Sequence, residues 1–236
     1  MEKFDDRYSN AFIRQNSGQS NKNPGTEMIS LQTVDNNLSR LMDVIIAFVA
    51  FMFVVPVLLL MCIAISIQDR GWPIFVHYRI GRGGALFPCL KLRTMVRDSD
   101  VRLRKLLETD AAARREWEVD QKLRNDPRIT PLGQFLRKSS LDELPQLLNV
   151  IWGHMSLVGP RPIVPAEAAR YGRYMQFYCA VRPGITGLWQ VSGRNDIGYR
   201  RRVAMDTLYC RTRTVGGDIS IMVRTIPAVL VSRGTF

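Results

Sequence analysis

Residues 136–150 read LRKSSLDELPQLLNV and place two adjacent carboxylates, Asp142 and Glu143, at the predicted start of an amphipathic helix. Apolar side chains recur there at helical spacing and predict one packed face, formed by Leu141, Leu144, Leu148 and Ile151. Asp142, Gln146 and Asn149 fall on another face of the same helix. One face of the predicted helix therefore packs against the protein, and another is free for chemistry.

The same residues also match a helix-capping motif. Ser140 would be the N-cap and Glu143 the third residue of the helix in a capping box, which is a purely structural role. Arg137 and Lys138 precede the two carboxylates, however. A helix N-terminus, cations and carboxylates together are typical of a site for a phosphate and a divalent cation. The stretch by itself leaves both interpretations open.

Composition limits the classes of function. The chain has 236 residues, enough for one catalytic domain with a buried core plus appendages, and its net charge of +12 predicts an anionic partner: nucleic acid, a membrane surface or a phosphorylated small molecule. Widely separated cysteines predict buried thiols in a reducing compartment, at Cys62, Cys89, Cys179 and Cys210. There are two histidines and no serine-protease triad, zinc motif or Walker-type phosphate loop, so any chemistry must rest on carboxylates, arginines and lysines.

The beginning of the chain divides into a polar and an apolar segment. Residues 1–37 are rich in Asn, Ser, Gln and Asp and predict a disordered tail. Residues 44–67 are 24 residues without a formal charge. As a helix they would reach about 36 Å, enough to cross a hydrocarbon core of about 30 Å. This apolar segment is therefore predicted to enter a membrane.

Pro56 lies near the centre of the apolar segment and removes a helical hydrogen bond. Basic residues flank both ends of the segment, at Arg40 and Arg70, whereas a spanning helix has an excess of them on the cytoplasmic side. We therefore predict a Pro-kinked re-entrant helix over 38–70 that leaves the membrane on the side where it entered. A kinked single-pass helix is the alternative. The cytoplasmic catalytic domain is then predicted to span 71–236.

Residues 72–95 predict two short strands joined by a glycine turn. The turn sequence GRGG at 81–84 invites comparison with phosphate-binding loops, but no helical pattern follows it, which favours a plain turn. Lys91 and Arg93 alternate with leucines and so share one strand face. Two cations side by side on a half-buried strand indicate an anion site.

The remaining segments predict helices and stiff loops. A charged amphipathic helix or helix pair over 101–124 is predicted to be a solvated face without chemistry, and an amphipathic helix over 219–231 is predicted to close the chain. Loops 153–162 and 181–194 surround single arginines with Pro and Gly, which suits bidentate phosphate binding, although solvated arginines in plain turns are the alternative. The predicted fold class is α/β, mainly α with a short β-hairpin, anchored by one N-terminal membrane helix.

Taken together, these segments resemble the bacterial sugar transferase family, the monotopic polyprenyl-phosphate phosphoglycosyl transferases that start exopolysaccharide and related glycan assembly. The resemblance runs from about Ser39 to the C-terminus. It is carried by the Pro-interrupted apolar segment and by four motifs: KLRTM at 91–95, SLDELPQL at 140–147, MSLVGPRP at 155–162 and RPGITG at 182–187. One departure is His154, where the family pattern has an acidic residue. None of the residues assigned a chemical role is altered.

The resemblance implies roles for particular residues. Asp142 is the implied nucleophile, and Glu143 is implied to help in catalysis by holding Mg²⁺. The phosphates are implied to lie among four cations, Lys91, Arg93, Arg137 and Arg161. We also expect substrate contacts from the later loop, at Arg182, Gln190 and Arg194.

The resemblance further implies the reaction and the compartment. A hexose 1-phosphate, with galactose or glucose as the hexose, would pass from a UDP-sugar through a covalent Asp142 intermediate to undecaprenyl phosphate and initiate exopolysaccharide repeat-unit assembly. The implied location is the bacterial inner membrane, with the catalytic domain facing the cytoplasm. Membrane lipid is an expected partner and nucleic acid is not. Other polysaccharide-assembly proteins and a homodimer are further candidate partners.

Two other functions compete with this one. A membrane-tethered basic protein without catalysis would account for the charge and the apolar segment, but carboxylates among the arginines would repel a polyanion. A structural subunit of a polysaccharide assembly complex is the other alternative if Asp142 only caps a helix.

Overall fold

The computed structural model describes residues 37–120, 123, 125–193 and 197–230. The predicted tail over 1–37 therefore lies outside the described residues, except for Asn37, and so does the predicted site residue Arg194.

Helix α1 spans Asn37–Asp69 and contains the whole apolar segment. It continues without interruption through Pro56, so a bend at this residue stays a prediction. The helix is long and apolar enough to cross a membrane. One side presents exposed apolar residues such as Phe53 and Leu60, while Ala47 on the other side is fully buried. An exposed apolar surface of this size marks a region that contacts lipid or a protein partner.

Both halves of α1 pack against the rest of the described chain. The first half, around Ala47 and Phe51, joins a core cluster with Val150 and Met155. The second half, around Ile65, joins another cluster with Leu136. The apolar segment is thus a structural part of the fold along its length.

Polar side chains fix the beginning of α1 to the body. Asp43 is buried, and its two carboxylate oxygens accept hydrogen bonds from Ser156 Oγ at 2.7 Å and from the Leu157 amide at 3.2 Å. Arg40 donates to the backbone carbonyl of Met155 at 3.2 Å and to those of Val150 and Ile151. These bonds satisfy buried polar groups and set the direction in which α1 leaves the body.

The predicted hairpin is present. Strand β1 spans Ile74–Ile80 and strand β2 spans Leu86–Leu92. The strands are antiparallel, with Phe75 opposite Lys91 and His77 opposite Cys89. A short 3₁₀ turn at Arg82–Gly84 joins them, as expected for a plain glycine turn. Lys91 lies in β2, and Arg93 is the first residue after this strand.

The central stretch is not one helix. Helix α4 spans Pro131–Ser139 and ends at Ser140, whose backbone is left-handed with φ 58°. A 3₁₀ turn at Leu141–Glu143 follows, and helix α5 spans Gln146–Ile151. We call Leu141–Glu143 the catalytic turn, after the role that the sequence resemblance implies for its two carboxylates. The prediction that the two carboxylates start an amphipathic α-helix is therefore wrong, because they lie on a 3₁₀ turn. The capping box is also wrong, because the Ser140 side chain makes no capping bond.

The physical reason for the break is Pro145. Proline has no backbone N–H, so the carbonyl of Leu141 cannot receive the bond that an α-helix would give it from residue 145. It accepts instead from the Leu144 amide at 3.3 Å, which tightens the chain into a 3₁₀ turn. This turn presents Asp142 and Glu143 in directions that a regular helix would not provide.

A second sheet lies inside the two segments predicted as irregular loops. Strand β3, Ser156–Val158, pairs in parallel with strand β4, Gly184–Thr186. A Cβ at Gly159 would lie 2.6 Å from the Arg182 carbonyl oxygen, so the two segments approach too closely for any larger residue. The arginine-bearing loops thus extend from a fixed core.

The other described elements are helices. They are α2 (Ser99–Thr109), α3 (Ala111–Asp120), α6 (Ala168–Tyr171), α7 (Met175–Ala180), α8 (Leu188–Val191), α9 (Tyr199–Thr212) and α10 (Val215–Leu230). The charged pair is confirmed in α2 and α3, and the closing helix in α10. The fold is mostly helical with two small sheets and one long apolar N-terminal helix, in agreement with the predicted class.

Candidate active site

A cavity of about 1090 Å³ opens between the hairpin, the catalytic turn, the loop that carries Arg161, and helices α8 to α10. Seven of the nine predicted site residues line it: Lys91, Arg93, Arg137, Asp142, Glu143, Arg161 and Gln190. Residues that are far apart in the sequence therefore meet at one place.

Asp142 lies on the catalytic turn with only 9% of its surface exposed. Within the described part of the chain, its carboxylate has no hydrogen bond or ion-pair partner closer than 4 Å. Burial raises the pKa of Asp142 to about 6, against the opposing charges of Lys91 and Arg137. The residue is largely removed from solvent, while its unpaired oxygens stay accessible from the cavity, so Asp142 is the first candidate for chemistry.

Glu143, the next residue, is held by cations. Lys91 Nζ donates to Glu143 Oε1 at 2.7 Å, and Arg161 Nη2 lies 3.6 Å from the same oxygen. Although burial works to raise the pKa of Glu143, the charges of Lys91 and Arg161 hold it well below its ordinary value. The two neighbouring carboxylates therefore differ in environment, which indicates two different roles.

The side chain of Arg161 is 45% exposed, so its guanidinium keeps donors free to face the cavity. Arg137 is held more firmly, because its Nε donates to Thr94 Oγ1 at 2.9 Å. Arg93 Nη2 lies 3.3 Å from Asp69 Oδ2 at the end of α1. These cations surround a space next to Asp142 in which the negative charge of a diphosphate would be favoured.

Three residues of β1 that were not predicted from the sequence line the cavity. Phe75, His77 and Arg79 alternate along β1 and all line the cavity. Arg79 Nη2 donates to His77 Nδ1 at 3.1 Å, which leaves Nε2 as the protonated nitrogen of the ring. Burial, together with Arg79 and Lys91, lowers the pKa of His77 to about 4, so the imidazole is neutral at physiological pH. The alternation of Phe75, His77 and Arg79, which puts them on one face of β1, was the signal that would have found them.

The other predicted site residues differ in placement. Arg182 does not line the cavity, and its Nε donates to the Gly153 carbonyl at 2.9 Å. Gln190 lines the cavity, and its Nε2 donates to the Ile185 carbonyl at 3.2 Å. Arg194 is outside the described residues.

The donor set decides whether Mg²⁺ fits this site. Among the described residues, no group of three or more His, Cys, Asp or Glu forms a metal cage. Mg²⁺ in phosphoryl-transfer sites is usually bound by one or two carboxylates plus the phosphates of the substrate. Glu143, beside Asp142, supplies that number of carboxylates, so the residues fit a metal shared with a phosphorylated ligand. Lys91 is the competing cation on Glu143.

Comparison with known proteins identifies the family of the chain. The bacterial sugar transferase family model matches residues 34–232, so the chain belongs to this family. The catalytic turn, the Lys91 strand and the Arg161 loop all lie inside the matched range.

Three relatives are among the most similar. The UDP-galactose-lipid carrier transferase of Erwinia amylovora is 48% identical over 199 residues, covering 84% of this chain and 42% of the relative. The exopolysaccharide production protein ExoY of Sinorhizobium fredii is 47% identical over 197 residues, covering 84% and 87%. The undecaprenyl-phosphate galactose phosphotransferase of Salmonella typhimurium is 45% identical over 216 residues, covering 88% and 45%. The chain thus spans less than half the length of two of these relatives.

Proposed function

We propose that this chain transfers a hexose 1-phosphate, with galactose or glucose as the hexose, from a UDP-sugar to undecaprenyl phosphate and so initiates exopolysaccharide repeat-unit assembly. The observation that carries the proposal is a buried carboxylate without partners, Asp142, next to a carboxylate held by Lys91 and Arg161. The substrate classes are supported by relatives named for transfer to a lipid carrier or to undecaprenyl phosphate.

In the first half-reaction, Asp142 attacks the sugar-proximal phosphorus of the UDP-sugar. Its pKa of about 6 leaves the carboxylate mostly ionised at neutral pH and still basic enough to act as a nucleophile. An Asp142 oxygen forms the new bond to phosphorus. The bond from that phosphorus to the bridging oxygen breaks, and UMP leaves with the electron pair.

Lys91, Arg137 and Arg161 counter the charge that would otherwise keep a carboxylate away from a diphosphate. They are fixed before the reaction by Glu143, Thr94 and the Pro-rich loop, so they need little reorganisation. Glu143 is the proposed ligand of Mg²⁺, which when bound would neutralise phosphate charge.

In the second half-reaction, a phosphate oxygen of undecaprenyl phosphate attacks the phosphorus of the Asp142 ester. The acyl-phosphate bond breaks and Asp142 regains its carboxylate, while the product carries a new diphosphate linkage. Because UMP leaves before the lipid reacts, the kinetics should be ping-pong.

We propose that α1 enters and leaves the membrane on the same side. Its apolar outer side suits the lipid, and both of its halves pack on the same body. A helix held along both halves by one body leaves the membrane on the side where it entered. We propose that this side is the cytoplasmic face of the inner membrane, where UDP-sugars are available. Other assembly proteins and a second copy of the chain remain candidate partners.

Two competing functions are a non-catalytic basic membrane protein and a structural subunit of an assembly complex. Neither explains why Asp142, a carboxylate with a raised pKa, faces a cavity lined by Lys91 and Arg137.

Membranes that contain the protein, labelled UDP-galactose or UDP-glucose, and undecaprenyl phosphate would test the proposal. We expect label in the lipid fraction with the unmodified protein and none with Asp142→Asn. Equal lipid labelling by both proteins, or none by the unmodified protein with any UDP-hexose, would contradict it.

A further inference from the structure

A second part of the cavity wall comes from α6, the turn before it, α8 and α9, and it differs in chemistry from the cationic part. We call it the acidic lobe and define it by five residues: Glu167, Tyr171, Gln190, Tyr199 and Asp206. None of them belongs to the catalytic turn or to the phosphate-binding cations described above, although Gln190 was expected to contact substrate.

Internal contacts hold the lobe together. Tyr171 donates to Asp206 Oδ2 at 2.7 Å, and its ring meets the ring of Tyr199 edge to face at a centroid distance of 6.2 Å. Glu167 accepts from the Val164 amide at 3.1 Å and lies 3.9 Å from Arg79. The lobe is therefore a fixed wall whose position relative to β1 is set by Arg79.

Several polar atoms of the lobe lack partners within the described part of the chain. Gln190 Oε1 and the Tyr199 hydroxyl are buried and form no hydrogen bond. Asp206 is 2% exposed, and among the described residues its carboxylate accepts a hydrogen bond from Tyr171 alone. Buried polar groups in native proteins are nearly always paired, and each exception needs an explanation. A ligand that donates hydrogen bonds would supply the missing partners of all three groups.

The free positions in the lobe are mainly acceptors. Gln190 Oε1 only accepts, the Tyr199 hydroxyl can accept or donate, and Asp206 accepts when it is ionised and can donate when it is protonated. Phosphate is disfavoured, because Glu167, and Asp206 when it is ionised, would repel it. A uracil ring offers a single N–H donor and presents acceptors at its other polar positions, so it would leave lobe acceptors unpaired. A hexose has several hydroxyl groups, each of which donates and accepts.

Arg202 supplies the complementary donor next to the lobe. Its guanidinium lies over the Trp189 ring at 4.6 Å from the centroid, and its Nε donates to the Ile197 carbonyl at 3.0 Å. Arg202 also lines the cavity. A fixed donor beside fixed acceptors can distinguish hydroxyl groups that point in different directions.

We propose that the acidic lobe binds the hydroxyl groups of the hexose and, through Tyr199 and Asp206, determines which hexose the protein accepts. This inference rests on the proposed function, because it takes a nucleotide sugar as the ligand. The hexose hydroxyl groups that this selection uses lie away from the phosphorus–oxygen bond that breaks. A site built to pair a hydroxyl group discriminates strongly against a sugar that leaves its buried polar groups unpaired.

Two conservative variants test the proposal. Tyr199→Phe removes the hydroxyl and keeps the ring packing, and Asp206→Asn keeps an acceptor for Tyr171 while removing the charge. Tyr174→Phe is the matched control, because Tyr174 does not line the cavity. For each purified protein with undecaprenyl phosphate, kcat/KM is measured for UDP-galactose and UDP-glucose, and the inhibition constant is measured for UDP, which has no hexose.

We expect kcat/KM for the preferred UDP-hexose to fall about tenfold or more in both lobe variants, the scale of one hydrogen bond to a charged or buried group. The ratio between the two sugars should change, whereas the inhibition constant for UDP should stay the same. Tyr174→Phe should behave like the unmodified protein. If Asp206→Asn does not fold, Tyr199→Phe carries the test, because it loses a single oxygen.

Two results would overturn the proposal while leaving the proposed function intact. One is an unchanged sugar ratio and unchanged kcat/KM in the lobe variants. The other is weaker UDP inhibition in parallel with the loss of turnover, which would assign the lobe to the nucleoside. If the unmodified protein transferred no hexose phosphate from either sugar, the proposed function would fail, and the lobe assignment with it.

Discussion

Lys91 Nζ lies 2.7 Å from Glu143 Oε1, and this ion pair joins the end of β2 to the catalytic turn. It places a cation on one of the two oxygens of the carboxylate that is proposed to hold Mg²⁺. A metal bound to Glu143 would share this carboxylate with Lys91, and the diphosphate of the proposed substrate would supply further negative charge to both cations. Metal and nucleotide sugar should consequently bind together better than either alone.

Changing Glu143 to Gln should weaken the binding of Mg²⁺. The amide keeps the shape of the side chain but loses the charge that a hard cation requires, so the Mg²⁺ concentration for half-maximal activity should rise at least about tenfold. Activity titrated against Mg²⁺ measures this, with the exposed Glu108→Gln as the control. An unchanged Mg²⁺ requirement in Glu143→Gln would remove Glu143 from the metal site.

Arg161→Lys should lower kcat by about tenfold or more without loss of fold. Lysine keeps the charge but loses the planar pair of donors that binds phosphate in two places. Turnover and the thermal unfolding midpoint are compared with those of Arg104→Lys, an exposed position on α2. Near-normal turnover in Arg161→Lys would reduce this loop to a structural role.

The raised pKa of Asp206 predicts that the stability of the protein depends on pH. Burial raises the pKa of Asp206 to about 7, with the Tyr171 hydroxyl and Arg202 acting in the opposite direction. The folded protein thus favours the protonated acid, so stability falls as pH rises from about 4 to about 7. Above about pH 7 the ionised carboxylate lowers the free energy of unfolding by the full amount, on the order of 4 kcal/mol.

The unfolding midpoint of Asp206→Asn should therefore exceed that of the unmodified protein by more at pH 8 than at pH 5. Asp98→Asn is the control, because Asp98 is exposed and Arg102 lowers its pKa. A difference between Asp206→Asn and the unmodified protein that does not vary with pH would show that Asp206 is not the source of the effect.

Much of the architecture could be predicted because its patterns are long. The uncharged run of α1, the alternation in β1 and β2 and the charged helices α2 and α3 each extend over enough residues to establish a period. Strands β3 and β4 were missed because each has three residues and lies among Pro and Gly. Their pairing depends on contact between segments distant in the chain, which a local pattern does not contain.

The break in the central stretch was missed for a different reason. The leucine spacing from Leu141 to Leu148 is helical and continues across the 3₁₀ turn. The missing N–H of Pro145 was the stronger signal, and it overrides the apolar period.

For the site, family motifs placed Lys91 and Arg161 near the carboxylates. His77 and Arg79 escaped notice, because their role depends on the pairing of β1 with β2. Arg182, which the sequence groups with the site, instead donates to the Gly153 carbonyl.

The packing of both halves of α1 on one body predicts the topology. Cysteines introduced at Asn37 and at Ala85, in a variant without the four native cysteines, should both be protected from an impermeant thiol reagent in intact cells. Both should react in inverted membrane vesicles. Labelling at residue 37 but not at residue 85 in intact cells would mean that α1 spans the membrane.

The central claim is that Asp142 becomes covalently linked to a hexose phosphate before any lipid is present. Its burial without a partner, the raised pKa and the surrounding cations all favour attack on phosphorus. Asp142→Asn keeps the shape of the turn but lacks the nucleophile, so it should lose both half-reactions while the protein remains folded.

The most direct test is the intact mass of the purified protein after mixing with Mg²⁺ and a UDP-hexose in the absence of polyprenyl phosphate. We predict an added hexose phosphate on the unmodified protein, absent from Asp142→Asn and removed when undecaprenyl phosphate is supplied. An active enzyme that never gains this mass, and whose kinetics require both substrates to be bound together, would contradict a covalent role for Asp142.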